Sequence, residues 1–328
     1  MKIVALEEHF VTLPMLDAWR ALPLERQDPA MKQTTIGRPA ELLLELGAER
    51  LAAMDRAGIA VQVLSMTAPG VQNLAPETAV PLARETNERL LEVVAGNSER
   101  FQAFGTLPTP APEAAARELE WCVQRGLQGA MIYGRTGENN LDHQSHWPLL
   151  EAASALRAPL YLHPQSPTPA VRQACYSGIN ADVDQLFALP GIGWHYETGL
   201  QIVRLALAGV FERFPDLRIV TGHMGEVILF YLDRLDLMTA AAKLPRKVSD
   251  YIRQHVYVTP SGMFSQHYLR WAIEVIGADH MMMSTDYPFI PLEEGGAKAY
   301  LDASDLSENT KQKIASRTWE CLCSEIKR

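Results

Sequence analysis

The sequence predicts an α/β fold, a (β/α)8 TIM barrel with insertions at its rim and a C-terminal helix, as one domain over residues 1–328. Eight short apolar segments alternate with longer segments of helical periodicity, the pattern of parallel strands connected by helices. Most of the apolar segments are continuously apolar, as expected for strands that are covered on both faces. The length of 328 residues also lies within the range of a single α/β barrel.

Each predicted strand is short and ends at a turn or helix signal. Pro164, for example, follows the apolar run PLYL and His163, and it cannot donate to a continuing strand ladder. In chain order, the predicted strands are 2–10, 60–66, 101–108, 129–135, 159–164, 218–224, 255–262 and 281–288.

The segments between the strands have the apolar spacing of amphipathic helices. Helical stripes are predicted at 42–54, 79–93, 115–123 and 203–211, with a terminal helix from residue 307. Gly58 is expected to end the first of them. Residues 11–40 and 165–193 do not fit the simple alternation, and both are predicted to be long rim loops that shape a pocket.

Composition and charge indicate which classes of partner and which cellular compartment to expect. Hydrophobic residues make up 47% of the chain, the net charge is −9, and no basic stripe occurs, so nucleic acid is not expected as a partner. No apolar run reaches membrane-span length and no signal-peptide pattern begins the chain, so we expect a cytoplasmic protein without a membrane partner. The four cysteines lack zinc or redox spacing and are expected to be reduced thiols.

Acidic and imidazole side chains lie at or near the C-terminal ends of four predicted strands. Glu7 and His9 are two residues apart on the first strand, so their side chains leave on the same face. His163, His223 and Asp286 lie at the ends of three later strands. If the strands close into a barrel, all five groups meet at one rim, where they offer the ligands of a divalent metal ion.

No single one of these residues is decisive, because a lone histidine is more often a hydrogen-bonded core residue than a ligand. The joint pattern is informative because five candidates end four different strands. Glu226 adds to it, since a carboxylate three residues after His223 can orient that ring and raise its basicity.

The order of the motifs ALEEHF, YLHP, GHMGE with a following arginine, and STDYPF resembles the amidohydrolase superfamily. The resemblance is to its decarboxylase branch, which includes γ-resorcylate and 2,3-dihydroxybenzoate decarboxylases and, more distantly, aminocarboxymuconate semialdehyde decarboxylase. It covers nearly the whole chain, including MDRAGI at 54–59, GTLP at 105–108 and FERFPDLRI at 211–219.

The resemblance implies one Zn²⁺ or Mn²⁺ ion and a catalytic pair beside it. The implied metal ligands are Glu7, His9, His163 and Asp286, and the implied pair is His223 with Glu226. Arg234 stands where the family places an arginine that reaches into a neighbouring subunit, which implies a homodimer or homotetramer. Without the resemblance, Arg234 would be interpreted as a solvated helix charge.

The implied reaction is reversible, non-oxidative decarboxylation of a hydroxylated aromatic acid in aromatic-compound catabolism. Protonation of the ring carbon precedes loss of CO2, and Asp286 is the expected general acid, held protonated by its enclosed position. A second residue set is expected to bind the substrate, namely Arg234, Phe10, Tyr133, Met263 and Phe289, although each of the last four could equally be a core residue. Tyr133 and Met263 stand where γ-resorcylate decarboxylase has asparagines, so the substrate need not be γ-resorcylate.

Two other functions stay open on the sequence alone. The same ligands serve a hydrolase or hydratase that acts on an aromatic ring-cleavage product. A binuclear hydrolase is disfavoured, because the first strand carries ExH rather than HxH and the fourth strand, GAMIYGR, lacks a lysine. A barrel that only binds a small acid would be expected to have lost a metal ligand, and none is missing.

Overall fold

The computed structural model describes residues 1–290 and 295–328. Within them, nine β-strands form two sheets, and every strand pairs in parallel with its neighbours. The strands are β1 (Val4–Phe10), β2 (Val61–Met66), β3 (Phe101–Ala103), β4 (Gly105–Thr106), β5 (Ala130–Tyr133), β6 (Leu160–His163), β7 (Ile219–Thr221), β8 (Val256–Val258) and β9 (Met283–Ser284).

The two sheets join into one barrel. Their strand orders are β3-β2-β1-β9 and β4-β5-β6-β7-β8. Strands β3 and β4 are two halves of one strand that changes partner at Phe104, whose N–H donates to Leu64 O at 2.9 Å. The other ends of the two sheets meet between β8 and β9, where Met282 N–H donates to Val258 O at 2.9 Å. Eight strands in sequence order therefore surround one axis, and the predicted (β/α)8 barrel is confirmed.

Helices surround the barrel and line its rim. The α-helical segments are α1 (Leu13–Arg20), α2 (Met31–Thr35), α3 (Gly37–Leu44), α4 (Ala48–Ala57), α5 (Pro76–Gly96), α6 (Pro112–Gln124), α7 (Trp147–Leu156), α8 (Pro169–Cys175), α9 (Ala181–Leu186), α10 (Gly193–Leu207), α11 (Val210–Arg213), α12 (His223–Glu226), α13 (Leu232–Leu235), α14 (Val248–His255), α15 (Gln266–Ile276), α16 (Gly296–Asp302), α17 (Glu308–Gln312) and α18 (Thr318–Ser324). None of the helices in residues 1–290 and 295–328 combines the length and apolarity needed to cross a bilayer.

Two predictions about these connections were wrong. The stripe at 42–54 is divided between α3 and α4, because the Glu45 carboxylate accepts hydrogen bonds from Gly47 N and Arg50 N and caps a new helix start. Gly58 does end α4, with a φ of 72°. The segments 11–40 and 165–193 are not plain loops, since the first contains α1, α2 and the first half of α3, and the second contains α8 and α9. Both segments do line a pocket, as expected.

The N-terminal mouth of the barrel is closed by α18. Trp319 is 1% exposed, its ring lies 5.5 Å from that of Phe104, and its indole N–H donates to Gln102 Oε1 at 2.7 Å. Above Trp319 the interior is filled by alternate strand residues, including Val4, Leu6, Val63, Met131, Tyr161, Val220 and Met282. The packed lower half leaves the C-terminal rim as the open end of the barrel.

Candidate metal centre and active site

Four metal-ligand side chains meet at the C-terminal rim. Glu7 and His9 come from β1, His163 ends β6, and Asp286 follows β9. Their potential ligand atoms all lie within 4.8 Å of one another. His163 Nε2 is 3.4 Å from Glu7 Oε1, and His9 Nε2 is 3.4 Å from Asp286 Oδ1. The structure thus brings together the four residues that the sequence predicts as metal ligands.

Unusual backbone geometry aims the two carboxylates into this centre. Glu7 and Asp286 each have a φ of 61°, a conformation that L-residues with large side chains seldom adopt. The register of β1 against β2 shifts between Ala5 and Glu8, so Glu7 occupies a β-bulge. Such conformations cost about 1–3 kcal/mol each and persist where the surrounding fold holds them. Here they direct acidic side chains inward.

The inner oxygen of Glu7 is held by hydroxyl groups. Tyr161 and Ser261 both donate to Glu7 Oε2, the former at 2.5 Å. Gly222 makes room for this arrangement, because a Cβ at that position would lie 2.7 Å from Glu7 Oε2 and 2.5 Å from Ser261 Oγ. The glycine of the TGHMGE motif is therefore required by close approach. These contacts leave Glu7 Oε1 as the oxygen that faces the centre.

The two histidines present their Nε2 atoms to the same point. His163 Nδ1 lies 2.8 Å from Pro164 O, and His9 Nδ1 lies 3.3 Å from Ser65 Oγ. Backbone and hydroxyl partners on Nδ1 fix a metal-ligating imidazole in orientation and tautomer. Among the residues that the structure describes, neither Glu7 Oε1 nor His9 Nε2 has a hydrogen-bond partner, although both atoms are buried. Orphaned buried polar atoms are costly, and a cation would satisfy them.

The electrostatics of the centre also fit a divalent cation. Burial raises the pKa of Glu7 to about 7, and burial together with the nearby His9 lowers the pKa of His163 to about 3. Burial thus disfavours charge on both groups. A cation would stabilise the carboxylate form of Glu7 and bind the neutral ring of His163. Two histidines and two carboxylates form a donor set that suits Zn²⁺ or Mn²⁺.

Asp286 departs from the expectation that its surroundings hold it protonated. Burial alone would raise its pKa, but the nearby imidazoles of His223 and His9 outweigh burial and lower the pKa of Asp286 below its ordinary range. Burial by itself would favour the protonated form of Asp286, as expected from the sequence, but the two imidazoles that face the carboxyl group favour its ionised form. If Asp286 acts as an acid, it must be given its proton by a neighbour.

That neighbour is His223, which a left-handed turn places above the centre. His223, Met224 and Glu226 all have φ between 46° and 55°, so α12 is not a regular right-handed helix. His223 Nδ1 lies 2.7 Å from Glu226 Oε1, and its Nε2 lies 3.9 Å from Asp286 Oδ2. Burial opposes charge on His223, but Glu226 and Glu7 raise its pKa well above the ordinary value.

Glu226 itself is fully buried and ionised. Burial would raise its pKa, but the charges of His223 and His195 lower it to about 2. The second imidazole was not predicted: His195 on α10 places its Nδ1 2.7 Å from Glu226 Oε2. A histidine 31 positions from its partner gives no spacing signal in the sequence.

A cavity of about 430 Å³ opens above the metal centre. This volume lies in the range of small-molecule sites. His163, His223 and Asp286 form its floor, and Phe289 lines its side with its ring 5.6 Å from that of His9. The remaining wall is mostly apolar and includes Ala30, Ile36, Pro39, Ala68, Leu186, Pro190, Trp194 and Ile290.

Comparison with known proteins agrees with this geometry. The family model described as amidohydrolase matches residues 22–318. The chain belongs to the amidohydrolase family. A gamma-resorcylate decarboxylase of Polaromonas sp. (strain JS666) is 35% identical over 327 residues, which cover 95% of each protein. The predicted resemblance to the decarboxylase branch is confirmed.

Solved structures of amidohydrolases superpose over the whole barrel. A dihydroxybenzoic acid decarboxylase from Polaromonas sp. JS666, with bound manganese and the inhibitor 2-nitroresorcinol, has a TM-score of 0.85 and 34% identity, covering 98% of this chain and 97% of its own. A 5-carboxyvanillate decarboxylase from Sphingomonas paucimobilis has a TM-score of 0.87 and 33% identity, covering 98% and 99%, respectively.

Three of the residues expected to bind substrate in this amidohydrolase do not line the cavity. Phe10 follows the inward-facing His9 and so points outward, where it is fully buried in the core between barrel and helices. Tyr133 lies inside the barrel, donates to Met66 O and is covered by Gly70. Met263 is 36% exposed outside the cavity. Trp194, which the sequence analysis did not select, lines it instead.

Arg234 lies away from the cavity of its own chain. It is exposed on α13, outside the set of cavity-lining residues. Phe230 and Leu237 nearby are 74% and 69% exposed, and Tyr231 is 42% exposed. The outward direction expected for Arg234 is therefore observed.

Proposed function

We propose that this amidohydrolase is a metal-dependent, non-oxidative decarboxylase of a hydroxylated aromatic carboxylic acid. One observation carries the proposal: four ligand-type side chains lie together at and beneath the floor of a mostly apolar cavity, and two of their buried atoms have no partner among the described residues. The decarboxylase relatives, matched over nearly their full length, support the same reaction class. A cytoplasmic location remains a prediction.

We assign one divalent ion to Glu7, His9, His163 and Asp286. The manganese in the dihydroxybenzoic acid decarboxylase structure favours Mn²⁺, while the donor set also accepts Zn²⁺. When bound, the ion supplies Lewis acidity and a template for an ortho hydroxyl and a carboxylate oxygen of the substrate. The hydroxyl contacts of Glu7 and the Nδ1 contacts of the two histidines keep these ligands oriented.

Asp286 delivers the proton that the reaction needs. A proton must reach the carboxylated ring carbon, because otherwise the electrons of the breaking C–C bond would remain on an aryl anion. Asp286 donates this proton from a carboxyl oxygen, and the protonated ring carbon becomes tetrahedral, so the ring loses its aromaticity until the carboxylate leaves. The C–C bond to the carboxylate then breaks, CO2 leaves, and the electron pair of that bond restores the aromatic ring.

His223 returns a proton to Asp286. Its raised pKa keeps it protonated at neutral pH, and its Nε2 lies 3.9 Å from Asp286 Oδ2. Glu226 binds the opposite ring nitrogen and so directs Nε2 toward the cavity. Proton transfer from His223 makes Asp286 a neutral carboxylic acid, a step that the low pKa of Asp286 in the empty site opposes and that the bound substrate must therefore drive. Running the same steps backward carboxylates a phenol.

The cavity walls select a flat ring and keep water away from it. Phe289 and Trp194 provide aromatic surface beside His9 and His163, whose rings lie 5.6 Å and 6.0 Å from theirs, respectively. Apolar walls suit an aromatic substrate and exclude water from the protonated carbon. Since Tyr133 and Met263 lie outside the cavity, Phe289 and Trp194 are the better candidates for ring contacts.

Elemental analysis followed by a substrate panel tests the proposal. The purified protein is expected to hold about one Mn or Zn per chain, as four ligands imply, and to release CO2 from at least one ortho-hydroxybenzoate. Exchange of solvent deuterium into the vacated ring position reports the protonation step. Turnover of an aromatic ring-cleavage product without CO2 release would establish the hydrolase or hydratase instead, and metal binding without turnover would leave a binding protein.

We further propose that the functional unit is a homodimer or a homotetramer in which Arg234 contacts the substrate of a neighbouring subunit. The exposed apolar group of Phe230, Tyr231 and Leu237 around it supports an interface on this face. A guanidinium meets a carboxylate in a fixed fork, so Arg234 suits the acid group of the substrate.

Mixed oligomers test the role of Arg234. Arg234→Ala alone is expected to raise KM roughly 10-fold, as expected for one lost charge-assisted hydrogen bond, with metal content unchanged. When Arg234→Ala subunits exchange with His223→Asn subunits, each mixed pair has one pocket that lacks both groups and one that lacks neither. At substrate concentrations well below KM, the mixture should then be more active than either parent variant alone. Absence of recovery despite demonstrated exchange, or a fully active monomer in sedimentation, would contradict the proposal.

A further inference from the structure

The carboxylate of Glu226 is shared between two histidines. His223 Nδ1 lies 2.7 Å from one oxygen, and His195 Nδ1 lies 2.7 Å from the other. Glu226 is 0% exposed, so both contacts are shielded from water. The rings of His195 and His223 lie 4.3 Å apart. A buried carboxylate that uses both oxygens in this way is fixed in rotation as well as in position.

The other nitrogen of His195 connects this pair to the cavity wall. Trp194 Nε1 lies 3.1 Å from His195 Nε2 and donates to it when His195 carries its proton on Nδ1. This tautomer is the one that donates Nδ1–H to Glu226. Pro190 O also lies 3.2 Å from His195 Nε2, and it accepts a hydrogen bond only from a ring that carries a proton on that nitrogen. The Trp194 ring lines the cavity and lies 6.0 Å from the ring of His163. A chain of contacts therefore runs from the cavity wall to Glu226.

Helix α10 packs closely against the turn of residues 223–227, which carries His223 and Glu226. Gly199 lies one helical turn after His195, and a Cβ at Gly199 would stand 2.4 Å from Glu226 O and 2.8 Å from Ile228 Cγ2. The helix can approach this closely only because position 199 lacks a side chain. The left-handed backbone of residues 223–227 is thus braced by the same helix that supplies His195.

We infer that His195 is a positioning residue for the reaction: by holding the second oxygen of Glu226, it fixes the direction in which His223 presents Nε2 to Asp286. His195 does not line the cavity and takes no part in bond making. Without it, Glu226 keeps a single partner and rotates, and the ring of His223 moves with it. This inference rests on the proposed decarboxylase function and deepens it.

Two substitutions of His195 separate positioning from packing. His195→Phe keeps a ring but loses the donor, and kcat should fall by about 10–150-fold, the value of one charge-assisted hydrogen bond of 1.5–3 kcal/mol. KM and metal content should stay close to wild type. His195→Asn places an amide N–H where Nδ1 stood and should recover most of kcat, which a loss of packing would not allow. His255→Phe is the matched control. His255 is a buried histidine at the end of α14, and its Nδ1 lies 2.9 Å from Leu217 O, away from the cavity.

Coupling to Glu226 provides the second test. In a Glu226→Gln background, His195→Phe should change kcat by less than about 3-fold, because the carboxylate through which His195 acts is gone. Proton NMR of the protein loaded with diamagnetic Zn²⁺ offers a measurement independent of turnover. The wild-type protein should show two strongly downfield imidazole N–H resonances, of which His195→Phe removes one and shifts the other, while His255→Phe leaves both in place.

The outcomes are distinct. Wild-type kcat in His195→Phe, or equal losses in the two Glu226 backgrounds, would overturn the positioning role while leaving the decarboxylase intact. Two metal ions per chain that fall to one in His195→Phe would also overturn it, because His195, His223 and Glu226 would then be ligands of a second ion. No CO2 release by the wild-type protein with any hydroxybenzoate would instead reject the proposed function, and the NMR result would still decide whether His195 holds Glu226.

Discussion

The two ends of this barrel use their residues in opposite ways. At the N-terminal end, Trp319 and Phe104 pack in low-energy aromatic contact, and the indole N–H has its partner in Gln102. At the C-terminal rim, Glu7 and Asp286 adopt positive φ angles and acidic groups are buried beside imidazoles. The positive φ angles of Glu7 and Asp286, and the buried ligand-type atoms without hydrogen-bond partners, thus lie at the end of the barrel that bears the cavity.

The difference shows which end provides stability and which provides chemistry. Filled interiors at the closed end contribute free energy through burial of large side chains. Buried carboxylates and left-handed residues at the rim cost free energy unless a cation and hydrogen bonds offset it. We expect substitutions at the two ends to separate stability from activity.

The largest effect is expected from His163→Ala at the rim. The variant should lose both its metal ion and its activity, because one of four proposed ligands is removed and the remaining acidic groups face each other without a cation. Metal content by elemental analysis and CO2 release measure it. His255→Ala, a comparable deletion of a buried imidazole away from the rim, should keep both. Stoichiometric metal with normal turnover in His163→Ala would refute the ligand assignment.

His223→Asn should separate chemistry from metal binding within the rim itself. Loss of the proton donor to Asp286 is expected to lower kcat by roughly 10²–10⁴-fold, while about one ion per chain is retained. Solvent deuterium exchange into the product ring carbon should slow in parallel. If activity were unchanged, His223 would be a structural histidine and the rim would contain one functional group fewer.

Trp319→Ala tests the closed end. Removing a buried indole from the barrel floor should lower the free energy of unfolding by about 3–5 kcal/mol, while kcat per folded, metal-loaded molecule stays near wild type. Urea unfolding and activity at a temperature below the transition measure the two quantities. Trp319→Phe should cost less because part of the cavity is refilled. Loss of metal before unfolding would mean that the two ends are coupled.

The pH dependence of metal binding is the smallest and most specific effect. Glu7 is protonated below its pKa of about 7 in the metal-free site, so a cation must displace that proton. Affinity for Mn²⁺ should therefore fall by about tenfold per pH unit below pH 7 and level off above it. His163, with a pKa of about 3, stays neutral there and adds no dependence. In Glu7→Gln the slope should disappear, and an unchanged slope would assign the proton elsewhere.

Much of the fold and the metal centre could be predicted from the sequence because both depend on local rules. Continuously apolar segments between helical stripes indicate buried parallel strands, and barrel closure sends every strand end to the same rim. Residues that end strands, such as His163 before Pro164, therefore meet regardless of their separation along the chain. The terminal helix was also predicted, although not that its Trp319 closes the barrel floor.

The cavity walls and the partner of Glu226 depended on tertiary structure. A strand alternates its faces, so Phe10 turned away from the cavity once His9 faced inward. The loop that covers Tyr133 and the outward position of Met263 likewise follow from packing. His195 meets Glu226 only because Gly199 lets α10 approach the left-handed turn. Strand ends are fixed by the periodicity of the chain, whereas contacts between distant segments are fixed by how closely their surfaces pack.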